Sequence, residues 1–330
     1  MSNKYSPSLK SVSLSDTNIY TKEECDDCKC KEVEYDNDRI PSNCDRVLYK
    51  TSSDVGITQI KYDVIKDYNF VRLSDHLMVF AEFTYNDGLK KGIIFTWNIA
   101  SLHFDEKDSL EEMQQFISDY RLTTDGYDII CFCFQEVGST NKFKDVLIQN
   151  IGSSGYHVQQ NFMRFSLPKY GISILCFTKP PYTSCSKKCY PSGSFKKLKR
   201  TKGYAGIMVD GILFLSAHFS IDTSSPDLGL ERRKSNLIKI QDDLTQYPNI
   251  ILAGDLNFRN IGGDQLTRLL DTKFTEFKEL GKLQTPTCKV ETCPKKYKKG
   301  KTLSARSARI ARSTRSAKTP STKAKDISLH

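Results

Sequence analysis

The side chains with the most chemistry to offer fall in six short segments: Leu73-Ser74-Asp75-His76, Thr96-Trp97-Asn98, Phe134-Gln135-Glu136, Thr201-Lys202-Gly203, Ser216-Ala217-His218-Phe219 and Gly254-Asp255-Leu256-Asn257-Phe258-Arg259. Singly, each has a plain structural explanation. A histidine after a strand is more often structural than catalytic, and a Gln-Glu pair there is usually a solvated edge. Gly-Asp-x-Asn is commonly a turn in which Asp and Asn satisfy their own backbone. Together they supply Glu136, a carboxylate for a hard cation, and Asp255, a carboxylate able to activate water. Two imidazoles, His76 and His218, and two amides, Asn98 and Asn257, complete the set. This is the equipment for metal-assisted attack of water on a phosphate. Magnesium prefers oxygen ligands and keeps several waters, so one or two carboxylates suffice. The set holds no close His/Cys cluster, which argues against a zinc hydrolase.

Positioning these groups falls to short apolar strands that end in polar residues. Gly92–Trp97 reads as a strand running into Asn98, and Tyr127–Phe134 as a buried strand delivering Gln135-Glu136. Ile172–Phe177, Ala205–Val209, Ile212–His218 and Asn249–Ala253 are further strands, the last delivering Asp255 and Asn257. Leu77–Phe83 is another, joined to Gly92–Trp97 through Tyr85-Asn86-Asp87-Gly88, whose turn chemistry predicts a hairpin. Ser109–Tyr120 and Leu230–Leu244 have helical spacing of apolar residues. Polar residues recurring at strand ends suit a site along one rim of a sheet sandwich.

The length of 330 residues, 38% of them hydrophobic, fits one large α/β domain or two small ones. No stretch approaches the roughly 18 consecutive apolar residues of a membrane span. Met1 to Tyr20 is polar and Ser-rich, without the apolar run of a secretory signal, so an intracellular, cytoplasmic protein is expected. Three zones differ in composition. Residues 1–38 are polar, with an acidic, Cys-containing stretch from Glu23 to Asp38, and read as unstructured. Residues 39–294 carry the apolar patterning. Residues 295–330 hold twelve Lys/Arg against one acid, so the net charge of +10 belongs to this segment and the rest is near neutral. Its cations at Arg306, Arg309, Arg312, Arg315 and Lys318 repeat every third position, matching neither helix nor strand, which predicts a disordered basic arm.

The segments resemble motifs of the endonuclease/exonuclease/phosphatase superfamily and, within it, the inositol polyphosphate 5-phosphatase family. Gly254-Asp255-Leu256-Asn257-Phe258-Arg259 is similar to that family's GDLNYR signature, and Glu231-Arg232-Arg233 resembles its ERR helix. Thr285-Pro286-Thr287-Cys288-Lys289 resembles PPTYK, and Pro41-Ser42-Asn43-Cys44-Asp45-Arg46-Val47-Leu48 resembles PAWCDRVL. The resemblance covers about residues 39–294 and implies a four-layer α-β-β-α sandwich of two packed mixed sheets. The order departs from the family: the CDR and SDH motifs, which close its domain, here precede Trp97-Asn98. Residues 39–83 would then hold the closing motifs and 92–294 the opening and central ones, as in a circular permutation. The family's first and last strands are neighbours, so a hairpin at Asn86-Asp87-Gly88 can join them. The new termini then fall in a surface connection between Lys289 and Pro41. A cloning or gene-model artefact is the alternative origin of the order.

The resemblance also implies roles. Glu136 would bind Mg²⁺, with Asn98 positioning metal and phosphate. Asp255 would orient or deprotonate the attacking water, and Asn257 would hydrogen-bond the phosphoryl oxygens. His76, held by Asp45, and His218 would stabilise charge developing on those oxygens. Asp75 would support the site. Lys202, Arg46 and Lys289, with Arg259 as either a partner or a structural cation, would meet the other phosphates of a polyanionic ring. Asn43, Cys288, Met78 and Ala217 stand where the family has Trp, Tyr, Pro and Asn, which leaves the preferred phosphoinositide or soluble inositol phosphate open. The expected activity is removal of a 5-phosphate. A nuclease of the same superfamily and a catalytically silent phosphoinositide-binding module are the rival readings.

Eleven cysteines remain to be placed. Cys131, Cys133 and Cys176 lie in apolar runs and read as buried thiols, and the odd count argues against a disulfide framework. Cys25, Cys28 and Cys30 are either unliganded or a zinc half-site that Cys288 and Cys293 could complete. The basic arm suits an anionic membrane surface, with nucleic acid as the competing polyanion.

Overall fold

The computed structural model describes residues 43–51, 56–100, 107–124, 126–138, 142–163, 171–181, 189–195, 202–221, 226–258, 269, 278–280, 283 and 287–288. Arg259, Lys289, segment 1–38 with Cys25, Cys28 and Cys30, and segment 295–330 lie outside them. The described residues all fall in one compact unit.

Twelve strands are described. β1 (Asp45–Lys50), β9 (Gly203–Val209), β10 (Ile212–His218) and β11 (Ile250–Asp255), with the short β8 (Ser192–Ser194) and β12 (Lys278–Glu279), form one sheet in the order β12-β1-β11-β10-β9-β8. β2 (Thr58–Ile65), β3 (Met78–Tyr85), β4 (Lys90–Asn98), β5 (Ile129–Val137), β6 (His157–Met163) and β7 (Gly171–Thr178) form the other, in the order β2-β3-β4-β5-β7-β6. Each sheet is mixed: β10 runs parallel to β11 and β4 parallel to β5, while the remaining pairs are antiparallel.

Alternation along the central strands creates the layers. On β5 the even residues face the helices α1 (Lys107–Asp119) and α2 (Lys142–Gly152): Phe132 stacks on Phe95 of β4 at 4.7 Å, and Phe134 meets Phe143 edge-on at 5.2 Å. The odd residues face the first sheet, where Cys133 Sγ approaches the Leu215 carbonyl at 3.8 Å. On the far side of the first sheet, Leu213, Leu215, Leu252 and Leu48 pack with Leu237 and Ile240 of α3 (Pro226–Asp243). The result is helix, sheet, sheet, helix. Each fully buried Phe or Leu of these layers contributes about 1.5–3 kcal/mol.

The hairpin forms where the turn chemistry placed it. Asn86 and Asp87 adopt φ of 52° and 55°, followed by Gly88 at 84°, and Tyr85 pairs with Lys90. The Leu89 N–H returns to the Asn86 carbonyl at 3.1 Å, so Asp87-Gly88 is the left-handed centre of the turn, which matches the twist of the flanking strands. The edge strands were invisible in the apolar pattern. Most of β2 is exposed, and β6 carries Gln159, Gln160 and Asn161, because an edge needs polarity more than hydrophobicity. One cysteine expectation is corrected: Cys131 and Cys176 are not free thiols but a disulfide. They are direct cross-strand neighbours on β5 and β7, with Cα atoms 4.3 Å apart.

Candidate active site

Register brings the site together in the first sheet. Asp45 pairs with Asp255 across β1 and β11, and Asp255 pairs with His218 across β11 and β10. All three point between the sheets, continuing the face made by Val47, Ile251 and Ala253. Gly254 permits this pairing, since a Cβ there would sit 1.9 Å from the Ala217 carbonyl oxygen. Next along β1, Arg46 is buried and donates to both oxygens of Glu279 at 2.8 and 2.9 Å. That ion pair occupies the cation that the motif had offered to substrate phosphates.

The second sheet adds Asn98, at the end of β4. Its amide donates to Asp255 Oδ2 at 3.0 Å, while its oxygen accepts from the Ala100 N–H at 3.0 Å. Below it Gln135 ties the sheets together, donating to Thr96 Oγ1 and Ser216 Oγ, each at 3.2 Å. Glu136 breaks the alternation: the β5–β7 register slips between Gln135 and Val137, leaving Glu136 as the bulged residue at φ 55°. A bulge re-aims a side chain, and here it leaves Glu136 half-buried with its charge felt at His218.

His76 stands on the turn before β3. Its Nδ1 is 2.8 Å from Asp45 Oδ2, which also accepts from Thr287 Oγ1 at 2.8 Å. Ser74 sets the imidazole's height, its hydroxyl donating to the Asn98 carbonyl at 2.6 Å and accepting the His76 N–H at 3.1 Å. Trp97 Nε1 donates to the His76 carbonyl at 2.9 Å, and Asp75 is half-buried on the same turn. On the other side His218 Nε2 lies 3.1 Å from Asp255 Oδ2 and also contacts Lys202 Nζ. Asn257 closes the loop in a left-handed conformation, its N–H on Asp255 Oδ1 at 3.1 Å and its amide on the Phe219 carbonyl at 3.1 Å. The Asx turn that such a motif makes by itself is therefore present, and it also fixes Asp255. Arg233 of the Glu231-Arg232-Arg233 helix lies over the Phe258 ring, at 5.7 Å.

Burial and charge set the ionisation. Burial pulls the His76 imidazole down, but the charges of Asp45 and Asp255 outweigh it and hold it well above its ordinary value. Burial pushes Asp45 up to about 6 against the pull of His76. Asp255, also opposed by burial, is held well below the carboxylate range by His76 and His218. Burial and the Lys202 charge lower His218. At neutral pH His76 is therefore an imidazolium between two carboxylates, and His218 is neutral.

No family model matches the chain, and no curated protein matches it. Among solved structures it is similar to truncated TDP2 from Caenorhabditis elegans, at 16% identity and a TM-score of 0.32, over 50% of this chain and 62% of that one. It is likewise similar to D. rerio TDP2 complexed with single strand DNA product, at 15% identity and a TM-score of 0.36, over 53% and 63% of the two chains. A third is the inositol polyphosphate 5-phosphatase domain of SpSynaptojanin in complex with inositol (1,4)-bisphosphate and calcium ion, at 16% and 0.33, over 51% and 52%. The chain thus spans less than two thirds of the length of each of these three.

Two donor sets could hold a metal. The ligand atoms of Asp45, His76 and Asp255 lie within 4.8 Å of one another, and Asp45 Oδ1 is buried without a hydrogen-bond partner. The other candidate donors are the two expected from the sequence, Glu136 and Asn98, whose amide oxygen here accepts the Ala100 N–H; both offer oxygen, as a hard cation requires. The structure thus gathers Asp45, His76, Asn98, Lys202, His218, Asp255 and Asn257, with Glu136 at their edge. Sequence reasoning gave no role to Ser74 or Thr287. Both lie inside the quoted motifs, Ser74 beside Asp75 and Thr287 two residues before Lys289.

Proposed function

We propose that this chain is a magnesium-dependent phosphomonoesterase that removes the 5-phosphate from inositol polyphosphates or phosphoinositides. One observation carries the reading: two carboxylate–imidazole contacts, Asp45–His76 and Asp255–His218, stand side by side by strand register and are tied to Asn98 of the opposite sheet. Glu136 with Asn98 would hold Mg²⁺, which would supply positive charge to the phosphoryl oxygens. Asp255 stays ionised and has both oxygens fixed, so it can orient the attacking water. His76 uses Nδ1 on Asp45, which leaves Nε2 to donate to a phosphoryl oxygen as its charge grows. Lys202 presents a cation for a further phosphate. The basic segment from Lys295 suits a substrate in an anionic membrane surface.

We further infer that the motif order is a circular permutation. Its support is the Asn86–Gly88 hairpin, together with Thr287 Oγ1 at 3.0 Å from the Asp45 N–H, which puts the two ends of the described body in contact.

The deciding assay is phosphate release from soluble inositol polyphosphates and from phosphoinositide vesicles, with Mg²⁺ or EDTA. Wild type should release phosphate only with Mg²⁺, and Asp255→Asn should not. Equal release from both proteins removes the hydrolase reading, and plasmid nicking without phosphate release moves it to phosphodiesters.

A further inference from the structure

Cys44 and Cys288 are 244 residues apart in sequence, yet their Sγ atoms lie 2.6 Å apart in the buried interior. A disulfide bond is about 2.05 Å long, so closure needs a shift of about half an ångström. Neither sulfur hangs on a free loop. The Cys44 carbonyl accepts the Leu256 N–H at 2.8 Å, and Cys288 pairs with His76 in an antiparallel bridge beside the Leu77 N–H to Thr287 carbonyl bond of 2.7 Å. The thiols therefore bracket the Asp45–His76 contact: Cys44 precedes Asp45, and Cys288 follows the Thr287 that holds it. Cys133, the other free cysteine among the described residues, has the Leu215 carbonyl as its neighbour instead. No role assigned above uses either sulfur of the pair.

We propose that Cys44 and Cys288 are an oxidisable pair that closes to a disulfide when the protein meets a peroxide. One sulfur attacks a peroxide oxygen, the O–O bond breaks, and the first water leaves behind a sulfenic acid. The second sulfur then attacks the sulfenic sulfur, the S–O bond breaks, and the second water leaves. Two thiols and one peroxide thus give a disulfide and two waters, and a dithiol reverses the change. The bond closes a loop around nearly the whole described body and so restricts the unfolded chain. It staples Thr287 to the start of β1, where Asp45 is held. This goes beyond the proposed hydrolysis, and neither readout below requires activity.

The test treats the full chain with hydrogen peroxide, unfolds it in acid, alkylates every remaining thiol and maps the peptides by mass spectrometry. Wild type should yield a linked Cys44–Cys288 peptide that dithiothreitol abolishes, with Cys133 alkylated throughout. Mapping on wild type needs no variant to fold. Oxidised wild type should also melt about 5–10 °C above identically treated Cys288→Ser, a comparison that leaves the Cys131–Cys176 bridge constant. Alkylation of both Cys44 and Cys288 after peroxide, or linkage of either to another cysteine, overturns the pair. A linked peptide without a rise in melting temperature overturns the staple.

Discussion

Asp45 and Asp255 are the same residue type on paired strands, yet their surroundings push them apart. Burial raises Asp45 to about 6, whereas His76 and His218 overcome burial at Asp255 and hold it far below 3.8. Separated carboxylates at one site divide the labour of holding and activating. Asp45 should therefore lose its charge first, so phosphate release should fall about tenfold per pH unit below about 6. The sign for stability differs. A raised folded-state value means that protonating Asp45 removes no folding stability. The depressed value at Asp255 gives stability that is present above 3.8 and lost only as the pH falls through its folded value. Trp97, the single tryptophan, donates to the His76 carbonyl and reports the fold at the site. Its emission should stay constant while activity declines from pH 7 to 5. Activity that is flat over that interval, or that falls only together with the emission, sinks the assignment. Asp255→Asn should lower kcat by at least about 10²-fold with the same Trp97 emission. The two donor sets are separated by a Mg²⁺ titration of that emission: Glu136→Gln should abolish the response and Asp45→Asn should keep it, and the reverse result would move the metal to Asp45, His76 and Asp255.

At the scale of elements, the bulge in β5 and the close pairing of β10 with β11 build the site. Glu136 holds a left-handed conformation that disfavours a side chain by roughly 1 kcal/mol. Glu136→Gly should thus raise stability by about 0.5–1 kcal/mol in urea unfolding while eliminating phosphate release. A variant that loses both would show the bulge to be structural only. Gly254→Ala forces a methyl to 1.9 Å from the Ala217 carbonyl oxygen, and a backbone neighbour cannot turn aside. It should destabilise by about 3 kcal/mol, and an unchanged unfolding midpoint would contradict the close approach. These elements also mark how far the sequence could be read. Central strands such as Ile172–Phe177 were legible because burial on both faces leaves a run that is apolar except for Ser173. Asn86-Asp87-Gly88 was legible because few residues tolerate its backbone. The Glu136 bulge was not, since register depends on the partner strand rather than on local pattern. Arg46 read as a substrate cation because Glu279, its partner, lies 233 residues away in sequence. Cys131 and Cys176 read as thiols for a similar reason: their pairing is a fact of register between β5 and β7.

For the whole molecule, the proposed permutation makes a demand that no single residue makes. If the motif order is only a change in where the chain is cut, the contacts of the folded body should not depend on it. A chain opened between Asp87 and Gly88, with 1–38 and 295–330 removed and Pro294 joined to Arg39, restores the family order. The new connection has little distance to cover, because Thr287 and Cys288 already touch Asp45 and Cys44. Lengthening a loop costs only about 0.6 kcal/mol per doubling. What is lost is the left-handed turn that brings Tyr85 to Lys90, after which β3 and β4 must pair without a tether. The apolar faces of those strands still pack on both sides: Phe80 and Phe95 meet Tyr120, while Phe83 meets Phe214 across the sheets. The reopened chain should therefore unfold in one cooperative transition, about 5–10 °C below the parent. It should also keep Trp97 buried and the same Mg²⁺ dependence of phosphate release. A chain that shows no cooperative transition would mean that the Asn86–Gly88 hairpin is a folding requirement of this protein and not a seam.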